Sequence, residues 1–225
     1  MTSRYLRQEV LKEIGKGGQH KIKSSSVAIV GVGALGTMSG ELLVRAGVGK
    51  LLLIDGDVVS FVNLQRQLYS EKDVEKKKVV VFKEHLQEVN GDVSIDLIDD
   101  FLDSENVDIF LDGYDLILDC SDNMKTRHII NDYCQRFGKI WIYAAASGTK
   151  GNVFVVDEPE TFRKYFNSGE NFDTCEEIGV VNSLTVIIAS LQVTEALKII
   201  VGEDYCKDLI RFDVWNNKYE KIKIK

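Results

Sequence analysis

Short apolar runs alternate with helical patterns along most of this 225-residue chain, and that alternation limits the available folds more than any single motif does. In residues 76–90, Val79, Phe82 and Leu86 fall on one helical face. Each short run is apolar at most of its positions, which is typical of parallel strands that are covered on both faces. Alternating units of this kind imply right-handed crossovers. The sequence therefore predicts an α/β fold with a doubly wound, mostly parallel Rossmann-like sheet, whose first strands are 27–30, 50–54, 93–98, 116–120 and 140–143.

The pattern changes after residue 150. Residues 151–157 are predicted as a strand and 183–201 as a long buried helix. Residues 158–173, a polar segment with the one proline of the chain, are predicted as a mobile loop. Residues 209–215 and 219–224 flank Asn216-Asn217, which predicts a hairpin because Asn tolerates positive φ. Antiparallel strands are therefore expected toward the C-terminus.

Charge and composition exclude several classes of protein. With 28 Lys and Arg against 35 Asp and Glu, the net charge is −7, which argues against nucleic acid as the main ligand. The N-terminal residues are charged where a signal peptide would be apolar, and polar residues interrupt 180–201, so we expect a cytoplasmic protein with no membrane span. The four cysteines form no Cys-x-x-Cys pair, so neither a disulfide framework nor a zinc site is expected.

A glycine-rich turn follows the first predicted strand and opens a helix. Its residues are Gly31-Val32-Gly33-Ala34-Leu35-Gly36. Glycines in this context let the phosphates of a nucleotide approach backbone N–H groups at the helix N-terminus. Asp55 ends the next strand, where an acid accepts hydrogen bonds from a ribose. Turn, strand and acid together predict a nucleotide site that includes Gly31, Gly33, Ala34, Leu35, Gly36 and Asp55; the alternative is a tight turn without a ligand.

The sequence after Asp55 contains further charged and polar residues that suit a nucleotide. They are Asp57, Asn63 and Arg66, followed by Lys78 at the start of the next predicted helix. Arginine offers a planar fork and lysine a point charge to phosphate oxygens. The cluster suits a triphosphate better than a dinucleotide. For Lys78 the alternative is membership of a solvated triplet, Lys76-Lys77-Lys78.

Asp122 and Asn123 follow the strand 116–120, so we expect them at the carboxyl edge of the sheet, where ligands of such folds bind. A carboxylate beside a phosphate site suits Mg²⁺, which prefers one or two carboxylates plus phosphate oxygens. The alternative is structural, with Asp122 or Ser121 as the N-cap of the following helix.

Together these residues resemble the ThiF/MoeB/HesA family, the bacterial and archaeal relatives of ubiquitin-activating enzymes. The matching motifs occur in the same order through nearly the whole chain. They also include segments at 4–8, 63–67, 119–123, 174–180 and 190–196. The resemblance implies that the domain uses ATP and Mg²⁺ to adenylate the C-terminal glycine of a small ubiquitin-fold sulfur carrier protein ending in Gly-Gly. It also implies a homodimer. The whole chain, 1–225, is then one domain, with an N-terminal helical segment 1–25, a nucleotide-binding core 26–147 and a carrier-binding part 148–225.

The resemblance also implies roles for single residues. Asp55 binds the ribose, and Asn63, Arg66 and Lys78 bind the phosphates. Asp57 and Asn123 complete the nucleotide site, and Asp122 governs the Mg²⁺. Arg7 acts as an arginine finger on the ATP of the other subunit. Cys175 stands where some members use a cysteine in a covalent step. Its acidic neighbours would raise the pKa of a thiol, and the alternative to the covalent role is packing or positioning.

Other functions stay open on the sequence. An NAD-dependent oxidoreductase explains the glycine turn and Asp55 but not Arg66 or Lys78. A non-catalytic subunit of a heterodimeric activating enzyme fits the fold, although all the expected ATP-site residues occur. The acyl substrate could also be a ribosomally made peptide or a modified tRNA nucleoside, the latter disfavoured by the acidic balance. The chain lacks the paired cysteines with which many relatives bind structural zinc, which puts a later sulfur step in doubt.

Overall fold

One mixed sheet of eight strands organises the described part of the chain. The computed structural model describes residues 3–166 and 178–224. Within them the strand order is β3-β2-β1-β4-β5-β6-β7-β8. The first five strands are parallel and the last three antiparallel. The predicted fold class is confirmed. The strands are β1 (Ser26–Val30), β2 (Lys50–Ile54), β3 (Ser94–Ile98), β4 (Leu116–Asp119), β5 (Trp141–Ser147), β6 (Lys150–Val156), β7 (Leu209–Asp213) and β8 (Lys218–Ile222).

Helices cover both faces of the sheet. One face packs against α3, α4 and α8 around Phe82 and Ile188, and the other against α5, α6 and α7 around Tyr133 and Phe162. Because both faces are buried, the parallel strands are continuous apolar runs. The helices are α1 (Leu6–Glu9), α2 (Gly15–Ser24), α3 (Ala34–Ala46), α4 (Lys78–Val89), α5 (Val107–Phe110), α6 (Met124–Phe137), α7 (Pro159–Phe166) and α8 (Asn182–Val201), with short 3₁₀ turns at Phe61–Asn63 and Glu71–Asp73.

The strand order reverses direction between β1 and β4. From β1 the chain moves outward to β2 and β3, then returns to β4 on the other side of β1. Open α/β sheets bind ligands at such a switch point, at the carboxyl ends of the strands. The glycine turn follows β1 and the segment 119–123 ends β4, so the topology places both at this point.

The C-terminal hairpin is as predicted. β7 and β8 pair antiparallel, and Asn217 adopts a φ of 50° in the turn between them. Asp213 receives the Trp215 and Asn216 N–H groups on its carboxylate, which closes the turn.

Residues 158–173 differ from the prediction of a mobile loop. Pro159–Phe166 forms α7, and the rest of that segment lies outside the described residues. Phe162 and Phe166 are four residues apart, so both face the core, where they are 0% and 6% exposed. Pro159 occupies the first turn, where its missing N–H costs nothing. The segment was predicted as a loop because most of its residues are polar, but it contains a short amphipathic helix.

Helix α8 is the one helix of the described ranges with the length and apolar composition of a membrane span. Its polar side chains tie it to the sheet of this protein. Gln192 is fully buried, and its Nε2 donates to the carbonyl oxygens of Asp119 at 2.9 Å and Ile142 at 3.0 Å. Gln192 Oε1 accepts from Ser39 Oγ at 3.0 Å. The expectation that no segment spans a membrane stays a prediction.

Candidate nucleotide-binding site

A cavity of about 450 Å³ opens at the carboxyl ends of the parallel strands. It gathers most of the predicted site residues. Gly36 lies outside its lining because it packs the helix against the turn instead. The predicted residues that line it are Gly31, Gly33, Ala34, Leu35, Asp55, Asp57, Asn63, Arg66, Lys78, Asp122 and Asn123.

The glycine turn depends on the absence of side chains at two positions. Gly31 has a φ of 91°, and a Cβ there would lie 2.7 Å from the Cys120 carbonyl oxygen. A Cβ on Gly36 would overlap the Gly31 carbonyl oxygen. The turn thus passes closely over the end of β4 while α3 packs on the turn, which leaves the start of α3 facing the cavity. This is the geometry that glycines give to phosphate-binding turns.

Asp55 holds the glycine turn in place. Its Oδ2 accepts from the Val32 N–H at 2.8 Å, and its Oδ1 accepts from the Asp57 N–H at 2.9 Å. The residue is 8% exposed. Burial raises the pKa of Asp55 above its ordinary value, and the Lys78 ammonium opposes that rise. Asp55 therefore links the ends of β1 and β2 and presents an acid to the cavity.

Lys78 lies on the cavity floor. It is 5% exposed, and its Nζ lies 2.8 Å from Asp57 Oδ2 and 3.9 Å from Asp55 Oδ1. The solvated-triplet alternative is therefore wrong for Lys78, although Lys76 and Lys77 are exposed. Lys78 is the first residue of α4, and the helix start turns it toward the two acids.

Arg66 and Asn63 line another side of the cavity and are hydrogen-bonded to each other. The 3₁₀ turn Phe61–Asn63 brings Asn63 beside the guanidinium, and Arg66 Nη2 donates to Asn63 Oδ1 at 2.8 Å. Arg66 Nη1 also donates to the Val62 carbonyl oxygen at 3.3 Å. No carboxylate of the described residues pairs with Arg66, so its charge is available to an anion in the cavity.

Asp122 is exposed at the cavity mouth, and Asn123 fills the capping role. Asn123 Oδ1 accepts from the Thr126 N–H at 2.9 Å, which makes Asn123 the N-cap of α6. The alternative in which Asp122 or Ser121 caps the helix is therefore wrong. Asp122 receives one bond, from Asn123 Nδ2 at 3.3 Å. Its carboxylate is thus left nearly free at the edge of the site.

A buried ion pair, whose arginine lines the cavity, was missed from the sequence. Arg127 Nε lies 3.1 Å from Asp119 Oδ2, and Arg127 Nη2 donates to the Ser121 carbonyl oxygen at 2.8 Å. Both residues are buried, and the guanidinium lies over the ring of Tyr143. Burial raises the pKa of Asp119, and Arg127 opposes that rise. The signal in the sequence is a basic residue within the apolar stripe of α6. The pair supports the loop that carries Asp122.

The antiparallel strands supply a wall that the sequence did not predict. Lys150 and Asn152 of β6 line the cavity together with Ala145, Ala146 and Ser147 of β5. Asn152 Oδ1 accepts from Arg211 Nε at 3.0 Å. Polar residues at alternate positions at the start of β6 are the signal that could have identified this wall. The cavity therefore continues past the predicted nucleotide site toward β6.

Besides Gly36, one predicted residue among those that the structure describes lies away from the cavity. Arg7 is exposed on α1 and does not line it. The segment before Arg7 is attached to the far end of α3, where Tyr5 packs on Gly47 and accepts from Asn90 Nδ2 at 2.8 Å. Cys175 lies outside the described residues, so its covalent role stays a prediction.

Two cysteines that the structure describes, Cys120 at the cavity and Cys134 in α6, are in surroundings that disfavour a thiolate. Cys120 and Cys134 are buried, as predicted, and burial raises the pKa of both, that of Cys134 to about 12. A thiol needs its thiolate form to act as a nucleophile. Cys120 therefore lines the cavity as a packing residue.

Known proteins match the chain along nearly its whole length. A family model described as the ThiF family matches residues 5–225. The sulfur carrier protein ThiS adenylyltransferase of Bacillus subtilis is 37% identical, over 99% of this chain and 68% of its own length. The molybdopterin-synthase adenylyltransferase of Haemophilus influenzae is 34% identical, over 98% of this chain and 94% of its own. Other relatives are longer, and the chain spans 53% of the adenylyltransferase and sulfurtransferase MOCS3 of Culex quinquefasciatus.

Solved structures show the same fold. A crystal structure of Escherichia coli MccB with ATP superposes with a TM-score of 0.81 at 21% identity, over 100% of this chain and 72% of the other. A crystal structure of PaaA gives a TM-score of 0.83 at 22% identity, over 98% and 72%. The family match over residues 5–225, together with relatives more than 30% identical across the chain, establishes that this protein belongs to the ThiF family.

Proposed function

We propose that this protein is an adenylyltransferase that activates the C-terminal glycine carboxylate of a small ubiquitin-fold sulfur carrier protein. The observation that carries the proposal is the joint lining of one cavity by the glycine turn, Asp55, Arg66 and Lys78. Two cations and a ribose-binding acid suit a triphosphate, and the wall on β6 leaves room for a second substrate. The relatives named as sulfur carrier protein and molybdopterin-synthase adenylyltransferases support this substrate class.

The reaction joins two anions, and the site offsets their repulsion. A carboxylate oxygen of the carrier attacks the α-phosphorus of ATP, the bond from that phosphorus to the bridging β-oxygen breaks, and pyrophosphate leaves. The attacking carboxylate is already ionised at neutral pH, so no general base is required. Arg66 and Lys78 stabilise the negative charge of the phosphates, and the fixed turn holds the reacting groups in line.

The residues at the cavity mouth fit a Mg²⁺ ion that arrives with ATP. Mg²⁺ usually binds one or two protein carboxylates and keeps phosphate oxygens and waters as its other ligands. Asp122 has such a carboxylate, with a single hydrogen bond to it. In the described ranges no group of three or more His, Cys, Asp or Glu forms a complete metal cage. When bound, Mg²⁺ would neutralise phosphate charge. The absence of structural zinc stays a prediction.

The position of Arg7 supports a homodimer with shared sites. Tyr5 packs against Gly47 at the C-terminal end of α3, whereas the cavity lies at the N-terminal end. The 13 residues of α3 span about 20 Å. Arg7 does not line the cavity of its own chain, and in this proposal it contacts the ATP of a partner subunit. The cytoplasm, which supplies ATP, is the compartment in which we propose the reaction takes place.

Pyrophosphate exchange into ATP tests the proposal. Wild-type protein is mixed with labelled pyrophosphate, ATP, Mg²⁺ and candidate carriers ending in Gly-Gly, each with a control carrier that lacks the two glycines. Exchange is expected only with a carrier that keeps its two C-terminal glycines. Asp122→Ala should abolish it without unfolding the protein, whereas Asp92→Ala, an exposed acid before β3, should retain it. No exchange with any carrier, combined with micromolar binding of NAD, would replace this proposal with the oxidoreductase.

A further inference from the structure

Two rows of polar residues cross the sheet face beside the cavity, and most of them have no role in the nucleotide site. Because β5 to β8 pair antiparallel, residues that lie opposite one another share a face and form rows across the strands. The first row is Ser147, Lys150, Asp213 and Lys218, and the second is Ala145, Asn152, Arg211 and Glu220. Their members on β5 and β6 line the cavity. The rows therefore lead from the cavity outward to the edge strand β8.

The two acids of these rows already have partners within the C-terminal hairpin. Asp213 is 7% exposed, and its carboxylate accepts from the N–H groups of Trp215 at 3.1 Å and Asn216 at 3.2 Å. It also accepts from Asn216 Nδ2 at 2.9 Å. Glu220 Oε1 lies 2.7 Å from Lys218 Nζ. Asp213 therefore holds the turn, and Glu220 is paired with the lysine of its own strand.

Two cations of the rows have no carboxylate partner in the part of the chain that the structure describes. The ammonium of Lys150 is exposed at the cavity and forms no ion pair; it acts on Asp213 and Glu220 only at longer range. Arg211 Nε donates to Asn152 Oδ1 at 3.0 Å, which orients a guanidinium whose other donors stay available. In a chain of net charge −7, two such cations make this face locally positive. They favour an anionic group from outside the chain.

The place of the rows in the sheet indicates which part of a carrier meets them. The reacting carboxylate lies at the phosphates, near the ends of β1 and β4, and β6 is two strands beyond β4. Neighbouring strands are about 4.8 Å apart, so β6 lies about 10 Å from β4. An extended chain advances about 3.3 Å per residue, so about three residues of the tail bridge this distance. The residues just before the two C-terminal glycines therefore lie over Lys150 and Arg211.

We propose that Lys150 and Arg211 are specificity-determining residues that bind an acidic side chain in the carrier tail, within about three residues before its two C-terminal glycines. This assignment rests on the proposed function, because it takes a carrier ending in Gly-Gly as the second substrate. An ammonium and a guanidinium both pair with carboxylates, and the guanidinium can donate two parallel hydrogen bonds. The same two charges disfavour a basic side chain at that point of the tail.

Reversing the charge on both sides of the contact tests the proposal. The carrier that supports pyrophosphate exchange is made with Glu, Gln or Lys at each of the three positions before Gly-Gly. With wild-type protein, the KM for the carrier should be lower by about three- to tenfold with Glu than with Lys at one of these positions, since exposed ion pairs are weak. Lys150→Glu should invert that order, and Arg211→Gln should reduce the difference. The KM for ATP should stay unchanged in both variants.

Two further variants separate a local contact from net charge and from a folding defect. Lys221→Glu is the matched control, because Lys221 is an exposed lysine on β8 that alternates onto the opposite face of the strand from Lys218 and Glu220. It changes the net charge as Lys150→Glu does and should keep the wild-type order of tails. Lys150→Gln should remove the preference without inverting it. Melting temperatures should match that of wild type for both Lys150 variants, because its ammonium has no partner to lose.

Each outcome decides between the alternatives. A preference for Glu in wild type that Lys150→Glu inverts and Lys221→Glu keeps supports the contact. Equal KM values for the three tails, a preference for Lys, or a preference that survives in Lys150→Glu overturns it, while exchange with carriers ending in Gly-Gly leaves the proposed function standing. An equal effect of Lys221→Glu would assign the preference to net charge and overturn the contact as well. If no carrier supports exchange, the proposed function falls, and this assignment falls with it.

Discussion

Nζ of Lys78 lies 2.8 Å from Oδ2 of Asp57, which fixes a buried ammonium at the end of the cavity nearest β2. Asp57 is half exposed, so it can release the ammonium toward an incoming phosphate at small cost. Asp55, by contrast, is buried and keeps its two backbone donors. The two acids thus have different roles: Asp57 positions the Lys78 ammonium, and Asp55 positions the glycine turn.

Replacing Lys78 should affect stability and binding together. Lys78→Gln leaves the buried Asp55 without its nearest cation, and we expect the free energy of unfolding to fall by about 1–3 kcal/mol. ATP affinity should fall at least tenfold, because a phosphate loses a charged partner. Urea unfolding and calorimetric titration measure the two effects. Lys77→Gln is the matched control, since Lys77 is exposed and pairs with Asp99 at the surface. Equal effects in the two variants would contradict the role of Lys78.

The buried pair of Asp119 and Arg127 predicts a pH-dependent defect. Arg127→Met leaves the Asp119 carboxylate buried and unpaired, which typically costs about 3–5 kcal/mol. Burial already raises the pKa of Asp119, and loss of Arg127 removes the opposing charge, so that pKa rises further. As the pH falls through the raised value, Asp119 takes up a proton and its burial ceases to be costly. The difference in stability from wild type should therefore be smaller at about pH 5 than at about pH 8.

Chemical denaturation at the two pH values measures this difference. Arg136→Met, on the same helix, removes an exposed pair with Asp108 and should show little effect at either pH. A defect of Arg127→Met that is as large at the acidic pH as at the alkaline pH would mean that Asp119 does not carry the buried charge.

Thiol titration should separate the cysteines. Cys175→Ser leaves Cys120, Cys134 and Cys206. The first two are buried with raised pKa values, whereas Cys206 is partly exposed. At neutral pH an aromatic disulfide reagent should modify one thiol per chain quickly, and urea should release the other two. Rapid modification of two thiols in the folded variant would contradict the burial of Cys120 and Cys134.

The sequence was most informative where function depends on local backbone geometry. The glycine turn needs glycines at fixed spacings because side chains at Gly31 and Gly36 would overlap backbone atoms, and such requirements are readable from a single sequence. Asp55 was found for a similar reason, since it ends a strand at a known distance from the turn. The parallel sheet was predicted because burial on both faces makes each strand continuously apolar.

Tertiary contacts account for what was missed. Arg127 has a role only because α6 packs it onto Asp119, eight residues earlier and buried under the loop. Lys150 reaches the cavity because β6 pairs antiparallel with β5, an arrangement that the apolar pattern of β6 does not specify. Helix α7 was missed because two phenylalanines among charged residues are a weak periodic signal until a core receives them.

The last prediction concerns Arg7 and the sharing of the active site. Because Tyr5 attaches the N-terminal segment to the far end of α3, Arg7 is expected to act on the ATP of a partner subunit. Arginine fingers supplied in this way contribute about a thousandfold or more in rate. Arg7→Ala and Asp122→Ala homodimers should therefore both be nearly inactive in pyrophosphate exchange.

Mixing the two variants distinguishes a shared site from a site within one chain. In a heterodimer, the subunit with intact Asp122 receives Arg7 from its partner, so one of two sites is complete. With statistical exchange half of the dimers are mixed, and activity should recover to about a quarter of wild type per chain. If Arg7 acted within its own chain, every site in the mixture would lack one residue and nothing would recover. Subunit exchange must be verified with tagged chains, and an active species that is monomeric would also contradict the sharing of the site.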